Sequence, residues 1–224
     1  GTGKRELIGE TRLDSTITSF ESIKYAKTDE GTSIYADALC ADGSSMVTEF
    51  IYWSDYYNSI ISPFYSYSTG RTKETLRSSQ VTCRDIDDDG YIEIPEDTSS
   101  KKQSSEITSQ NWVNYGNTVL SHKCYSFSCK RDGYILVIDD DDFSKVKANY
   151  DSESRKLTII NKKNKSNVFE IVTLINSNYS VNDPKYKDYT MIMKNSGFVY
   201  LAKVNKSSDI DINIQTLKDM IKVY

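Results

Sequence analysis

Residues 84–95 read RDIDDDGYIEIP. Aspartates stand at alternate positions, Asp85, Asp87 and Asp89; Gly90 follows the third, and Glu93 and Glu96 come after it. What flanks this run decides the fold. With helices on both sides it would be an EF-hand, taking its twelfth-position ligand from Glu96. With strands on both sides it is a shorter loop, D-x-D-x-D-G-x-x-E, joining two extended segments. Upstream, Gln80-Val81-Thr82-Cys83 has the composition of a short strand, and residues 91–94 read as the strand that leaves. Downstream, Pro95 and a run without apolar residues at 98–105 make a poor exiting helix. No second hand is present to pair with it. We therefore read a loop between strands, in a strand-dominated α+β chain.

The same reading extends outward. Residues 20–26, 33–40 and 46–53 show partial period-two alternation, with Ala41-Asp42-Gly43-Ser44 as a hairpin turn between the last two. They predict an N-terminal antiparallel β region, a meander or an incomplete propeller-like sheet. Residues 54–70, rich in Tyr and Ser, read as a long loop or irregular strand. Further strands are predicted over 111–115, 124–129, 134–138, 156–160, 168–175, 189–193 and 198–204. Lys162-Lys163-Asn164-Lys165 and Lys194-Asn195-Ser196-Gly197 are the expected turns. At the end Ile214, Leu217, Ile221 and Tyr224 recur at helical spacing, with Asp211 as the expected cap, so a helix packs on the second sheet. The resulting division is a flexible arm over 1–16, a β region over 17–97 ending in the acidic loop, and a sheet plus helix over 106–224. A mobile loop is expected at 98–105.

Composition limits the chemistry. The chain has 224 residues, a net charge of -4, 38% hydrophobic and 12% aromatic residues, and 17 tyrosines. Tyrosine fills a core while carrying a hydroxyl that needs a partner. The mild negative charge argues against nucleic acid, which requires clustered Lys and Arg. No apolar run reaches the roughly 20 residues of a membrane-spanning helix. Gly1-Thr2-Gly3-Lys4 reads as a remnant at the start of a trimmed chain. The four cysteines, Cys40, Cys83, Cys124 and Cys129, permit disulfides without demanding them, and Cys124 with Cys129 are close enough to bridge a turn.

A hard divalent cation needs several oxygens, and calcium takes six to eight at about 2.3–2.6 Å. Alternate residues of a tightly curled loop point inward together. The candidate ligands are therefore Asp85, Asp87, Asp89, the carbonyl of Tyr91 and the carboxylate of Glu93, with Gly90 at the turn. The competing reading is a polar turn held by its own carboxylates through Asx-turns. Elsewhere, Asp139–Asp142 reads as a helix start, with Asp141 or Asp142 capping a short turn over 143–146. His122 with Cys124 and Cys129 would supply three zinc ligands, at no standard spacing. With one histidine and neither a G-x-S-x-G nor a P-loop string, nucleophilic triads and nucleotide binding are disfavoured. Carboxylate chemistry stays open, with Glu93, Glu106 and Glu170 as acids. Trp53, Tyr56, Tyr57, Tyr65 and Tyr67 form either a sugar-stacking or partner surface or part of a core poor in aliphatic residues.

The acidic string resembles the DIxxDGxxEIP signature of uncharacterised exported or lipoprotein-like proteins of Firmicutes, whose loops are similar to the FG-GAP and VCBS calcium repeats of β-propellers. Thr75-Leu76-Arg77, Asp132-Gly133-Tyr134-Ile135-Leu136 and the pairing of 168–174 with Gly197-Phe198-Val199-Tyr200 fit the same pattern, so the likeness covers about residues 70–224. It implies a non-enzymatic, extracytoplasmic or envelope-associated protein, with calcium serving structure through Asp85, Asp87, Asp89 and Glu93; separately, a monomer is expected. The sequence departs from the pattern at Asp88, where a neutral Asn or Gly is common, and it carries one such loop where a propeller carries several. Two functions are expected from these readings. The first is an extracytoplasmic binding or scaffold module for an unknown protein or glycan partner, stabilised by calcium. The alternative is a carboxylate-based hydrolase acting on glycans.

Overall fold

The structure, a computed structural model, describes residues 3, 7–28, 31–98, 106–116, 118–180, 183–205 and 210–224. Its strands are β1 (Ile17–Thr28), β2 (Gly31–Cys40), β3 (Met46–Ser54), β4 (Ser59–Ile61), β5 (Tyr65–Ser66), β6 (Arg71–Thr72), β7 (Ile94–Asp97), β8 (Ile107–Gly116), β9 (Val119–Cys129) and β10 (Tyr134–Ile138). After a one-turn helix α1 (Asp140–Phe143) come β11 (Val146–Asp151), β12 (Lys156–Asn161), β13 (Asn167–Ile175), β14 (Thr190–Lys194) and β15 (Phe198–Val204). Helix α2 (Ile214–Met220) and β16 (Ile221–Val223) close the chain. The protein is strand-dominated α+β with antiparallel sheets and a C-terminal helix, as the alternation predicts.

The chain divides into two compact units, Gly1–Thr98 with Asn111–Lys123, and Ser99–Gln110 with Cys124–Tyr224. Residues 111–123, expected in the second half, thus belong to the first. Most of the expected mobile loop at 98–105 lies outside the described residues.

In the first unit β1-β2-β3-β4 form an antiparallel meander. Asp42 makes its β2–β3 turn, its Oδ1 accepting from the backbone of Ser44 at 2.9 Å and Ser45 at 2.7 Å. Nearly every residue of β3 is buried, including the polar Thr48 and Glu49. Tyr35, Phe50, Tyr52, Phe64, Cys83, Ile94, Val113 and Tyr115 make the core. The tyrosines here do the work that Leu and Ile do elsewhere, with Phe50 and Tyr115 centred 4.7 Å apart in a tilted pair. Pro95 is accommodated because β7 is the last strand of its sheet, where a missing N–H breaks no ladder.

The expected arm over 1–16 is anchored before its boundary. Asp14 is buried, its backbone N–H donates to Glu49 Oε1 at 2.6 Å, and its Oδ2 accepts from Arg71 Nε at 3.0 Å and Thr72 N at 2.8 Å. A buried carboxylate with this many donors is a tether.

In the second unit β11-β12-β13-β15-β14 form one antiparallel sheet, and β10 pairs with β9 and β16. β12 alternates half-buried and buried at every step, the signature of one covered face. Its core gathers Leu136, Leu157, Phe169, Ile171, Tyr200, Leu217 and their neighbours. The two lysine-bearing turns, 162–165 and 194–197, form as expected between β12 and β13 and between β14 and β15.

Two expectations about helices are corrected. The helix α2 is capped by Asn213, whose side chain accepts from Gln215 N and Thr216 N, rather than by Asp211. It also stops at Met220. Ile221 and Val223 turn extended and pair with Leu136 and Tyr134, because two β-branched residues beside an open β10 edge gain more from ladder hydrogen bonds than from another helical turn. Likewise Asp140, Asp141 and Asp142 lie inside α1 instead of capping 143–146, and Val146 begins β11. Carboxylates in a first turn offset the positive end of the helix dipole.

Candidate metal centre

The loop is closed at its neck by an antiparallel bridge: Arg84 N donates to Glu93 O at 3.0 Å and Glu93 N to Arg84 O at 2.8 Å. No helix adjoins it. Glu96 lies on β7 and accepts from Asn111 Nδ2 at 2.9 Å, so the EF-hand alternative is excluded. The expected strand at 80–83 does not form, and the strand expected at 91–94 begins only at Ile94. The upstream segment is instead held by a buried network. Asp37 Oδ1 accepts from Arg77 Nη2 at 2.8 Å and Thr48 Oγ1 at 2.6 Å, while its Oδ2 takes the Cys83 backbone N–H at 2.9 Å. Arg77 Nε donates to Val81 O at 2.9 Å. Both charged side chains of this pair are fully enclosed, so the entry to the loop is fixed by charge-assisted bonds in place of a ladder.

Within the loop Asp85, Asp87 and Asp89 converge. One ligand atom from each lies within 4.8 Å of the others, the one such group found among the described residues. Asp85 spans the turn: its Oδ1 accepts from Asp89 N at 3.1 Å and its Oδ2 from Gly90 N at 2.9 Å. Asp89 Oδ1 accepts from Tyr91 N at 2.9 Å. Asx-type bonds therefore shape the loop, and they do so with the carboxylates turned toward one centre. Asp88 and Gly90 take positive φ, 63° and 90°. Asp tolerates that conformation better than most residues. Asp88 stands outside the converging group. Ile86 is fully buried and pins the middle of the loop to the protein.

Of the other two expected ligands, Tyr91 stays part of the loop and Glu93 stands apart from the three aspartates. Tyr91 joins the loop through its N–H to Asp89, and its side chain is exposed. Glu93 is completely buried and outside the converging group. Its Oε2 accepts from Ile86 N at 3.0 Å, but its Oε1 has no hydrogen-bond partner. Burial pushes its carboxyl up to about 7, the Ile86 N–H opposes the shift, and the charges of Asp87 and Asp89 add to it. The Lys123 ammonium acts in the opposite sense, so some positive charge already reaches this buried acid.

One residue of the site has no signal in the local sequence. Lys123, on β9, sets its ammonium 3.2 Å from Asp87 Oδ2 and 2.6 Å from Asp89 Oδ2. The Lys123 hydrogen bond is the main reason the Asp89 carboxyl is held low, and the same contact raises the lysine. Thirty-four positions separate Lys123 from Asp89, so only the fold brings them together.

The remaining candidates resolve individually. All four cysteines are free thiols. Cys83 donates its thiol to Asp37 Oδ2, and burial raises it far above the range of a reactive thiolate. His122 is exposed and shares a hydrogen bond with Asn111, Cys129 is fully buried, and no zinc set forms with Cys124 among the described residues. Glu106 pairs with Arg131 at 3.1 Å; Glu170 accepts from Asn167 Nδ2 at 2.6 Å and from the Tyr189 hydroxyl. Asp14 and Glu49 are the pair whose environments push two acids apart: burial raises Glu49, whereas in Asp14 burial is outweighed by hydrogen bonds from Thr16, Thr72 and Arg71. Such a split marks catalytic acid–base pairs in clefts. Here both residues are enclosed and every carboxylate oxygen has a donor, so the pair serves as the tether described above. Tyr56, Tyr57 and Tyr67 are exposed, at the β3–β4 and β5–β6 turns, and are therefore not core.

Comparison with family models, with curated proteins and with solved structures finds no match for the chain.

Proposed function

We propose that the chain is a non-catalytic, extracytoplasmic binding or scaffold module whose loop 85–93 is stabilised by calcium. One observation carries the ion reading. Three carboxylates converge within 4.8 Å next to a fully buried Glu93 that keeps one oxygen unpaired. An oxygen-only donor set suits a hard cation, and the loop's flexible carboxylates suit calcium better than the strict octahedron of magnesium. Asp85, Asp87 and Asp89 would hold the ion, and its charge would offset that of Glu93. The exposed Tyr56, Tyr57 and Tyr67 support a partner-binding role, since aromatic faces recognise both glycans and protein surfaces. The extracytoplasmic setting follows from the resemblance of the acidic string and from the abundance of calcium there.

The test is a pair of melting curves, one with calcium and one with chelator. A ligand at 100 times its dissociation constant, bound only by the folded state, adds about 2.7 kcal/mol. Calcium should raise the transition of the native chain and not that of Asp87→Asn. Equal curves for the native chain with calcium and with chelator would reduce the loop to a turn.

A further inference from the structure

Strand β1 is an outer strand of the first unit's sheet. It pairs with β2 on one side, and no described strand lies on the other. A free edge presents unpaired N–H and C=O groups, and proteins guard such edges with lysines, bulges and short strands. Along part of β1 those guards are missing. Both of its register shifts fall between Ile17 and Ser22, so 22–28 is a regular run. Lys24 has its ammonium engaged by the Cys83 carbonyl, which leaves Lys27 as the one guard. Half-buried residues alternate with exposed ones through the run, so 23, 25 and 27 share an outer face. There Ile23 is 65% exposed and Tyr25 82%. Tyr25 opposes Ile34 of β2, also exposed, and Ile34 opposes Ile51 of β3. An apolar row thus crosses three strands and reaches the free edge at Tyr25. Contiguous exposed apolar surface of this kind marks an interface.

We propose that β1 pairs with β1 of a second copy of this chain, antiparallel about a two-fold axis at Tyr25, so that two β1-β2-β3-β4 sheets join into one. Symmetry selects the register. About a two-fold axis normal to the sheet, one residue must oppose its own copy. With Tyr25 on the axis, Ser22 opposes Thr28, Ile23 opposes Lys27 and Lys24 opposes Ala26. This uses the whole regular run and sets no like charges opposite one another. With Lys24 on the axis two lysines would face each other. With Ile23 there, the irregular residues before Ser22 would enter the ladder, and with Ala26 there it would run past Thr28, where β1 ends. Glu21, just outside the run, comes beside Lys27 of the other copy, a charge match made twice by symmetry. The row Ile51–Ile34–Tyr25 continues into its own copy across the axis, so a second chain supplies apolar contacts as well as ladder bonds. The longest stretch outside the described residues, 99–105, reads SSKKQSS and has no apolar side chain to offer that row. The pairing does not involve the acidic loop, and it replaces the monomer expected from the sequence with a dimer.

Sedimentation equilibrium of the full chain in chelator, over a wide range of concentration, tests this on the native protein, on Tyr25→Lys, and on Tyr57→Lys as a control that alters an exposed tyrosine elsewhere. The native mass should climb with concentration from 25.5 kDa toward twice that value. Tyr25→Lys sets two ammonium groups together on the axis and should weaken association by at least roughly tenfold. Tyr57→Lys should change it by less than about twofold. Tyr25 is exposed in the single chain, so Tyr25→Lys should keep the native circular dichroism spectrum. Oxidation then reads the register. Tyr25→Cys should give a disulfide-linked dimer on a non-reducing gel, and Ile23→Cys far less, because only residue 25 opposes itself. Cys40, Cys83 and Cys129 are buried and should give no such product in the native chain. A native chain that stays at 25.5 kDa at every concentration overturns the proposal. So does a dimer that Tyr25→Lys leaves intact, or one that links through Ile23→Cys as readily as through Tyr25→Cys.

Discussion

The tetrapeptide Asp-Gly-Tyr-Ile occurs twice, at 89–92 and at 132–135, and the two copies behave differently. Both glycines take positive φ, 90° at Gly90 and 71° at Gly133, so each copy turns through a backbone conformation that favours glycine. Beyond that they part. Asp132 is fully buried, with Arg155 Nε at 2.7 Å and the Tyr150 hydroxyl at 2.8 Å, and Tyr134 and Ile135 are buried behind it. Asp89 and Tyr91 are exposed, and Asp89 leans on a lysine. Four residues after the aspartate the second copy has Leu136, buried in the core, where the first has Glu93, buried and half-satisfied. The second copy is a closed structural corner. The first is a corner that retains a demand for positive charge.

Substitutions can widen or erase this difference. The largest effect is expected from Asp132→Ala, which strands Arg155 and the Tyr150 hydroxyl; denaturant unfolding should show a loss of about 3 kcal/mol. If that loss were absent, the second corner would not be held by its ion pair.

Next comes the pH dependence of the first corner. Glu93 in the folded chain titrates near 7, above the usual 4.5, so the folded state holds a proton that the unfolded chain has already released. Its contribution is therefore undiminished below pH 4.5 and is lost as pH rises toward 7. With chelator present, stability should fall across that window by on the order of 2 kcal/mol from this residue. Glu93→Gln should remove that slope, and the difference between the two proteins separates it from Glu49, which burial raises in the same direction.

Gly90→Ala and Gly133→Ala probe what the copies share. A Cβ at Gly90 meets nothing within 4 Å, and at Gly133 the nearest atom is the Tyr200 hydroxyl at 3.8 Å. Neither change creates a clash, so each should cost about 1–2 kcal/mol of backbone strain by thermal unfolding in chelator, and by similar amounts. The smallest effect belongs to Asp89→Ala, which in chelator should cost less than about 1 kcal/mol, because its partner is a partly exposed lysine. With calcium the same substitution should abolish the stabilisation that calcium confers on the native chain. A loss equal to that of Asp132→Ala would mean that the first corner is structural too.

The legible parts of the site were those written in neighbouring residues. Alternate aspartates followed by glycine predict a curled loop, and 85, 87 and 89 do converge. Glu93, expected among the ligands, is instead drawn into the protein, where its Oε2 accepts from the Ile86 N–H. Gln80–Cys83 looked like a strand, and its extended backbone is satisfied by Asp37 and Arg77 from far along the chain. Ile221 carried a helical spacing and, with Val223, a β-branched preference, and the open edge of β10 decided between them.

The sequence by itself determined the antiparallel strands, their turns and the shape of the acidic loop, because alternation, glycine and short-range hydrogen bonds act within a few residues. Only the tertiary structure decided which charges are neutralised and by what. Lys123 reaches Asp89 across 34 positions and Arg155 reaches Asp132 across 23, and such contacts depend on where whole strands lie. Electrostatic energy depends on distance and burial, and no spacing along the chain encodes either.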